Sequence, residues 1–194
     1  MDAVFDRLQS LRDDQLSIIS VTVMTLLALT IGWGLKASVQ DQTRLVSQNG
    51  ITATVPLDWV TDEAPDTAAL RVWNGRAPAE QFLATLYPTN EQVTIDSIVV
   101  QRNLMRGQQL NSYRVLDKVE GVINGRNIFE VQFAYVKLGR RTDLPQVIQG
   151  TDYYMDMGEG QVLVLTVEAE SGELDNLLPD FENFKNSIQT GGTE

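Results

Sequence analysis

The chain contains no cysteine and no histidine. Without cysteine there is no disulfide, no thiolate nucleophile and no iron–sulfur ligand. Without histidine the commonest general base and the commonest transition-metal ligand are both missing, and no Ser-His-Asp triad can form. The chemistry that remains open is hydrolysis by carboxylate pairs and calcium binding by oxygen ligands. The composition therefore predicts a protein that is not an enzyme and has no cofactor.

Basic residues are nearly absent from the C-terminal part of the chain. Residues 37–142 balance eleven Lys/Arg against eleven Asp/Glu, whereas residues 143–194 carry eleven acidic residues and a single base, Lys185. A surface with this excess of negative charge repels the phosphate backbone of a nucleic acid, so no nucleic-acid partner is expected. The acidic residues 143–194 are either a solvated surface or a docking face for a basic partner surface.

Residues 16–35, LSIISVTVMTLLALTIGWGL, form a run without charge. A helix rises about 1.5 Å per residue, so this run covers the ~30 Å hydrocarbon core of a bilayer. Trp33 and Lys36 lie at its end, where an interfacial aromatic ring and a snorkelling ammonium group are typical. The sequence therefore predicts a transmembrane helix over residues 16–36, with Trp33 and Lys36 at the membrane interface.

Small residues recur near the end of this span, at Ala28, Gly32 and Gly34. Ala28 and Gly32 are four residues apart, a spacing that lets two transmembrane helices pack closely. Small residues also occur where a helix faces lipid. The pattern thus indicates either a helix-packing face or a lipid-facing surface.

A cleaved signal peptide is the main alternative to an anchor, because residues 35–37 before Ser38 form a passable cleavage site. Secretory apolar regions run about 7–15 residues and follow a basic segment. Here the apolar run is longer, and residues 1–15 carry two basic and four acidic residues. Both differences favour a retained anchor.

The orientation of the anchor is not decided by charge, because two basic residues lie on each side: Arg7 and Arg12 before it, Lys36 and Arg44 after it. A short N-terminus inside and a long domain outside is the usual outcome for a single N-terminal anchor. We therefore expect residues 1–15 on the cytoplasmic side of the cell membrane and the C-terminal domain on the periplasmic side.

The rest of the chain is predicted to form a connector, one domain and a tail. Residues 37–48 are polar and contain neither proline nor glycine, so they can continue the helix as a connector. Residues 49–190 contain the strand and helix patterns of a single domain, and residues 191–194 form a loose tail. We find no internal repeat and no low-complexity linker.

Helical spacing appears twice in the domain. Over residues 94–108 the apolar positions fall on one stripe, and Thr94 is placed as an N-cap. A closing helix has Pro179 in its first turn and a buried stripe that includes Phe181 and Phe184. Leu174, Leu177 and Leu178 can form an additional turn before it.

Strand patterns fill the space between these helices. Asn124-Gly125 separates two strand-like runs, residues 113–123 and 126–138, and Asn-Gly is a preferred two-residue hairpin turn. A second hairpin joins residues 147–157 to residues 161–167, whose continuous apolar run predicts a central strand. The fold class predicted is α+β: an antiparallel β-sheet of six or more strands flanked by helices, an α/β/α sandwich.

The order of these elements resembles the PsbP-like superfamily. The resemblance covers about residues 49–190 and rests on Pro56-Leu57-Asp58-Trp59, Tyr113-Arg114-Val115-Leu116, Ile123-Asn124-Gly125-Arg126 and Phe181-Glu182-Asn183-Phe184. That superfamily includes the extrinsic PsbP subunit of photosystem II, photosystem assembly factors, a Ran-GTPase-binding nuclear factor and many bacterial exported proteins. The resemblance implies a binding or assembly module. Metal sites in the family use histidine with carboxylates, so none is carried over to this chain.

Carboxylates in two neighbouring strands are the candidate chemical sites. Asp152 and Asp156 fall on one side of a strand with Glu159 in the next turn, a set of oxygen ligands that suits calcium only weakly because no calcium-loop motif is present. Glu168 and Glu170 also share a strand face. They form either a carboxylate pair in a cleft or, as we expect, an exposed strand end.

Other polar and aromatic residues are candidates for partner contacts. Arg140 and Arg141 form a basic pair in a predicted loop, suited either to solvent or to an acidic partner or lipid headgroup. Trp59, Trp73 and Tyr87 are candidates for interface anchors, and the competing interpretation places them in the core.

The function expected from the sequence is that of a non-catalytic, single-pass, membrane-anchored accessory or assembly subunit of a larger integral membrane protein complex. Photosynthetic or respiratory complexes are favoured by analogy with the family alone. Two alternatives stay open: a membrane-tethered ligand-binding or carboxylate-dependent enzyme domain, and a homo-oligomeric membrane scaffold.

Overall fold

A computed structural model describes residues 18, 21–33, 42–62, 69–123, 126–139, 144–158 and 160–191. The chain divides into two compact units, residues 1–42 and residues 43–194.

The N-terminal unit contains one described helix, α1, over residues 21–33. All of its side chains are exposed, and most of them are large and apolar. Its three threonines donate their hydroxyl hydrogens to backbone carbonyls one turn earlier: Thr22 to Ile18, Thr25 to Val21 and Thr30 to Leu27. Across the described ranges, no helix is both long enough and apolar enough to cross a membrane.

The C-terminal unit is built from ten strands and two helices in the described residues. The strands are β1 (Thr43–Gln48), β2 (Ile51–Pro56), β3 (Trp59–Thr61), β4 (Leu70–Asn74), β5 (Gln81–Pro88), β6 (Asn111–Ile123), β7 (Arg126–Lys137), β8 (Gln146–Gly158), β9 (Gln161–Glu170) and β10 (Gln189–Thr190). The helices are α2 (Ile95–Gln109) and α3 (Leu174–Ser187).

The strands form two antiparallel sheets. The large sheet has the order β3-β4-β5-β9-β8-β7-β6, and the small sheet has the order β1-β2-β10. The continuously apolar β9 lies near the middle of the large sheet between β5 and β8, as the sequence predicts. The predicted Asn-Gly hairpin is also confirmed in its pairing, because Ile123 of β6 faces Arg126 of β7.

Side chains of β9 alternate between two cores, one on each face of the large sheet. Leu163, Leu165 and Val167 enter a core shared with α3 and the small sheet. Val162 and Val164 enter a second core under α2. Because both faces of the sheet are covered, β9 is buried from Val162 to Ala169, and apolar residues occupy both of its faces. The antiparallel sheet with helices on both faces confirms the predicted α+β class.

Helix α2 begins where the sequence predicts. Thr94 has an extended backbone and its hydroxyl accepts the N–H of Ser97, so it is the N-cap. Ile98 and Val99 are buried against the sheet. The next turns of the same face carry Arg102 and Arg106 in place of apolar residues, which puts two cations at the sheet surface.

Two boundaries predicted from the sequence are wrong. The connector was expected to continue as helix to residue 48, but Thr43–Gln48 forms β1, because its backbone pairs along its whole length with β2. The closing helix was expected to have Pro179 in its first turn, with an additional turn at Leu174, Leu177 and Leu178 before it. In the structure that turn belongs to α3, which begins at Leu174 and contains Pro179 in its interior. Leu177 is buried in the α3 core and holds this earlier turn against the sheet.

Gly150 in β8 is a position where only glycine fits, because it lies directly opposite Phe133 of β7. A Cβ placed there would lie 2.5 Å from Phe133 Cζ and 2.7 Å from the backbone oxygen of Val167. We expect Gly150→Ala to lower the free energy of unfolding by about 1–3 kcal/mol through overpacking. Gly107→Ala is the control: a Cβ there meets nothing within 4 Å, so this helical substitution should stabilise by about 0.5–1 kcal/mol. Urea denaturation of both variants tests the pair, and equal effects would contradict the packing argument.

Candidate functional site

Helix α2 and the neighbouring strands β8 and β9 bring a set of charged side chains together. Arg102 and Arg106 are four residues apart on α2, so they lie on the same helical face. Asp152 of β8 and Thr166 of β9 are directly paired in the sheet. We call the group the Asp152 cluster; its members are Tyr87, Arg102, Arg106, Asp152, Tyr154, Thr166 and Glu168.

The carboxylate of Asp152 is fully buried and its two oxygens accept five hydrogen bonds. Arg106 donates through Nη1 to Oδ2 at 2.5 Å and through Nη2 to Oδ1 at 3.1 Å. Arg102 Nε donates to Oδ2 at 3.2 Å. The hydroxyls of Thr166 and Tyr154 complete the shell at 2.6 and 3.1 Å. This carboxylate therefore has no room for a further ligand.

Arg102 also links α2 to the strand at the other side of β9. Its Nη2 donates to Thr166 Oγ1 and its Nη1 donates to Tyr87 Oη, both at 2.9 Å. Arg106 extends the cluster in the opposite direction, because its guanidinium carbon lies 4.0 Å from the centre of the Phe133 ring. Two arginines thus connect α2 to strands β5, β7, β8 and β9.

Glu168 is the second acidic member of the cluster. It is 6% exposed, and its Oε2 accepts from Gln81 Nε2 at 2.6 Å and from Tyr135 Oη at 3.0 Å. Its Oε1 lies 3.8 Å from Arg106 Nη2. The two carboxylates and the two arginines therefore balance in charge.

The pKa shifts follow from burial and from this pairing. Burial alone would raise the pKa of Asp152, but Arg106 and Arg102 outweigh burial and lower it to about 2. Burial alone would lower the pKa values of both arginines, but Asp152 outweighs it and raises them. Burial, reinforced by Asp152, raises the pKa of Tyr154. All of these groups keep their charge state near neutral pH, so the cluster is suited to holding α2 on the sheet and unsuited to proton transfer.

A cleft of about 390 Å³ opens beside the cluster, between α2 and β5. Its walls include Tyr87, Ile98, Gln101, Arg102, Met105 and Arg106. Arg102 therefore takes part in the Asp152 cluster and also lines the cleft. A smaller cavity of about 160 Å³ lies on the other face of the sheet near Gly150 and Leu174.

The interpretation of Asp152 as a weak calcium ligand is wrong, because both of its oxygens are taken by the arginines and hydroxyls. Asp156 is half-buried and accepts the N–H of Gly158, and Glu159 lies outside the described residues. Within the part of the chain that the structure describes, no group of three or more acidic residues could hold a metal ion. The expectation of an exposed strand end is also wrong for Glu168, which is buried, while Glu170 is exposed.

The aromatic candidates separate into three environments. Trp59 is a core residue, with its ring centre 4.3 Å from that of Phe82. Trp73 is half-buried and donates its indole N–H to Asp62. Tyr87 is the hydroxyl partner of Arg102.

The candidates for membrane and partner contacts fall partly outside the described ranges. Ala28, Gly32 and Trp33 are exposed on α1, and a Cβ on Gly32 would meet nothing within 4 Å. Gly34, Lys36, Arg140 and Arg141 lie outside the described residues. The roles predicted for these residues stay predictions.

Sequence reasoning missed the Asp152 cluster, although one signal was present. Arg102 and Arg106 continue the apolar stripe that Ile98 and Val99 begin, so two charges occupy the face predicted to be buried. A buried charge requires a partner of opposite sign. The complementary signal was Asp152, an acidic residue in the strand predicted to pair with the apolar central strand.

Comparisons with solved structures identify the architecture. No protein-family model matches the chain, and no curated protein matches it in sequence. Cyanobacterial PsbP (CyanoP) from Synechocystis sp. PCC 6803 superposes with a TM-score of 0.54 at 10% identity, covering 76% of this chain and 92% of CyanoP. The domain has a PsbP-like fold.

Two further neighbours share this PsbP-like fold. The Ran-binding protein Mog1p of Saccharomyces cerevisiae gives a TM-score of 0.53 at 14% identity, covering 77% of this chain and 95% of Mog1p. LpqN of Mycobacterium tuberculosis, involved in cell envelope biogenesis, gives 0.51 at 17% identity, covering 78% and 91%. At such identities the likeness concerns the fold alone, and the descriptions of Mog1p and LpqN name two different roles.

Proposed function

We propose that this protein is a non-catalytic accessory or assembly subunit of a larger integral membrane complex, held at the cell membrane by a single N-terminal transmembrane helix. In this proposal residues 16–36 form the anchor, with the N-terminus in the cytoplasm and the PsbP-like domain on the periplasmic side. The anchor and the domain both contact subunits of the host complex. A photosynthetic or respiratory complex is the favoured host by analogy with the fold family.

The observation that carries the proposal is the chemistry of α1. Its apolar side chains are exposed, and its three threonine hydroxyls bond to carbonyls of the same helix. A hydrocarbon solvent requires every polar group to be satisfied within the segment, whereas water does not. The helix also lies inside an uncharged run of twenty residues, which matches the thickness of a bilayer.

The domain adds a second line of support. The two carboxylates of the Asp152 cluster accept hydrogen bonds from arginine, hydroxyl and amide donors, so they hold the fold together and are unsuited to acid–base catalysis. Acidic side chains such as Glu170, Glu173 and Asp175 are exposed near the start of α3. These exposed carboxylates suit a basic partner surface. Mog1p, a neighbour in fold, is named for binding another protein.

Purification of the full chain tests the proposal most directly. The tagged protein, extracted from membranes in a mild detergent, is expected to retain integral membrane proteins in fixed stoichiometry, measured by quantitative mass spectrometry. A severed domain, residues 37–194, should bind the complex from which the native chain was removed. That binding should weaken tenfold or more between 0.05 and 1 M salt, because the Debye length falls to ~3 Å.

Two results would contradict the proposal. The first is recovery of the full chain from the membrane as an isolated monomer without a stoichiometric partner. The second is tight, salt-insensitive binding of the severed domain, which would assign docking to an apolar patch instead of the acidic surface. Dimers of the full chain that disappear on Ala28→Leu and Gly32→Leu would favour the homo-oligomeric scaffold.

A further inference from the structure

The wall of the cleft between α2 and β5 contains residues with hydrogen-bond donors that their bonds in the Asp152 cluster do not use. A guanidinium group carries five N–H donors. The bonds from Arg102 to Asp152, Tyr87 and Thr166 take one from each nitrogen, leaving one on Nη1 and one on Nη2. The Tyr87 hydroxyl accepts from Arg102, so it keeps its own hydrogen to donate. Arg102 and Tyr87 both line the cleft and together carry three donors for a ligand.

Apolar and neutral polar side chains line the rest of the cleft. Ile98 lies one turn before Arg102 on α2 and is buried, Met105 lies one turn after it, and Gln101 and Gln109 also line the cleft. Met105 is 43% exposed, so this wall is open to a ligand. None of the described residues that line the cleft is acidic. The volume of about 390 Å³ lies within the range of small-molecule sites.

We propose that this cleft binds a small free amphiphile, with a carboxylate head at Arg102 and Tyr87 and a short apolar body along Met105. The remaining N–H groups on Nη1 and Nη2 of Arg102 each provide a charge-assisted hydrogen bond for a carboxylate oxygen. Charge selects a monoanion over a dianion, because Asp152 and Glu168 already balance the two arginines. The inference does not rest on membrane anchoring.

Ligand-observed NMR with hexanoate tests the proposal, using the full chain in nanodiscs and empty nanodiscs as the baseline. We expect saturable binding of hexanoate. Hexanol, which has the same apolar body without the charged head, should bind at least tenfold more weakly, the size of one hydrogen bond to a charged group. Equal binding of the two would overturn the assignment of the head group.

Two tryptophan substitutions locate the site. Met105→Trp fills the cleft from its open wall and should abolish hexanoate binding. Leu104→Trp is the matched control, because Leu104 is 62% exposed and does not line the cleft, so binding should be unchanged. Unchanged melting temperatures exclude unfolding as the cause. Binding that survives Met105→Trp, or that is lost equally in both variants, would overturn the proposal.

A second source of the same chemistry is a chain terminus, which also presents a carboxylate beside an apolar group. A tripeptide ending in leucine is therefore the comparator. Weaker binding of the tripeptide than of hexanoate supports a free amphiphile. Tighter binding of the tripeptide would reject the amphiphile in favour of a peptide ligand.

Discussion

Asp152→Asn is expected to lower the free energy of unfolding by about 3–5 kcal/mol, a large part of the stability of an ordinary domain. The substitution keeps the shape of the side chain but removes the charge. Arg102 and Arg106 then remain against the sheet with Glu168, 3.8 Å from Arg106, as the nearest acidic partner in the described cluster. The loss arises because the positive charge of the arginines stays buried without its partner. It therefore does not measure the net contribution of the ion pair to stability, since apolar residues of equal volume could replace the whole pair.

Urea denaturation of Asp152→Asn measures this loss. Asp156→Asn is the matched control on the same strand, because Asp156 is half-buried and its Oδ1 accepts the N–H of Gly158, a bond that asparagine also makes. The control should stay within about 0.5 kcal/mol of the native chain. Equal losses in the two variants would mean that the Asp152 cluster does not hold α2 to the sheet.

The pH dependence of the free energy of unfolding is an independent test of the Asp152 cluster. The pKa of Asp152 is lowered from 3.8 to about 2 in the folded chain, so the unfolded state binds its proton first as pH falls. The stabilisation is therefore complete above pH 3.8 and is lost as the pH falls through about 2. This pH-dependent stabilisation by the ionised Asp152 amounts to roughly 2 kcal/mol, and it is absent from Asp152→Asn, which has no carboxylate at this position. The stability gap between the native chain and the variant should narrow by that amount between pH 5 and pH 2.

Local patterns predict much of this fold because they report on nearby residues. The Thr94 cap and its helix, both hairpins and the central position of β9 all follow from spacing, turn chemistry and apolar runs. β1 escaped prediction because its polar sequence has no strand signal of its own. It is a strand because β2 supplies its hydrogen-bond partners.

Helix α3 illustrates the same limit at its N-terminal end. Proline in a helix interior removes one backbone hydrogen bond and is a local stop signal. Sequence reasoning accordingly placed the start of the helix near Pro179. The structure extends it back to Leu174 because burial of Leu177 outweighs the local cost of the proline.

The Asp152 cluster could not be predicted from local patterns because its members are far apart in the sequence. Arg102 and Asp152 are 50 residues apart in sequence, and their contact depends on how α2 crosses strands β8 and β9. Within β8 alone, the spacing of the carboxylates offered no more than a weak calcium candidate. A single strand can predict which residues share a face, but it cannot predict what packs on that face.

Replacing Leu26 and Leu27 together by aspartate should release the full chain from the membrane, the largest effect that the proposed anchor implies. Both residues are exposed at the middle of α1, where the centre of the bilayer would lie. On insertion scales aspartate costs about 2.5–3.5 kcal/mol at the centre of a transmembrane helix, and leucine contributes about −0.3 to −0.6. The two substitutions together therefore oppose insertion by about 6–8 kcal/mol, enough to reverse it.

Carbonate extraction of membranes, followed by detection of the tagged chain in pellet and supernatant, measures the release. Leu26→Ala with Leu27→Ala is the control, because it shortens the same side chains without adding charge and should leave the chain in the pellet. The PsbP-like domain should be equally stable in all three proteins, since residues 43–194 form a separate unit. A native chain found in the supernatant would reject the anchor outright. Retention of the aspartate variant in the pellet would mean that the domain itself, through lipid or a membrane partner, holds the chain at the bilayer.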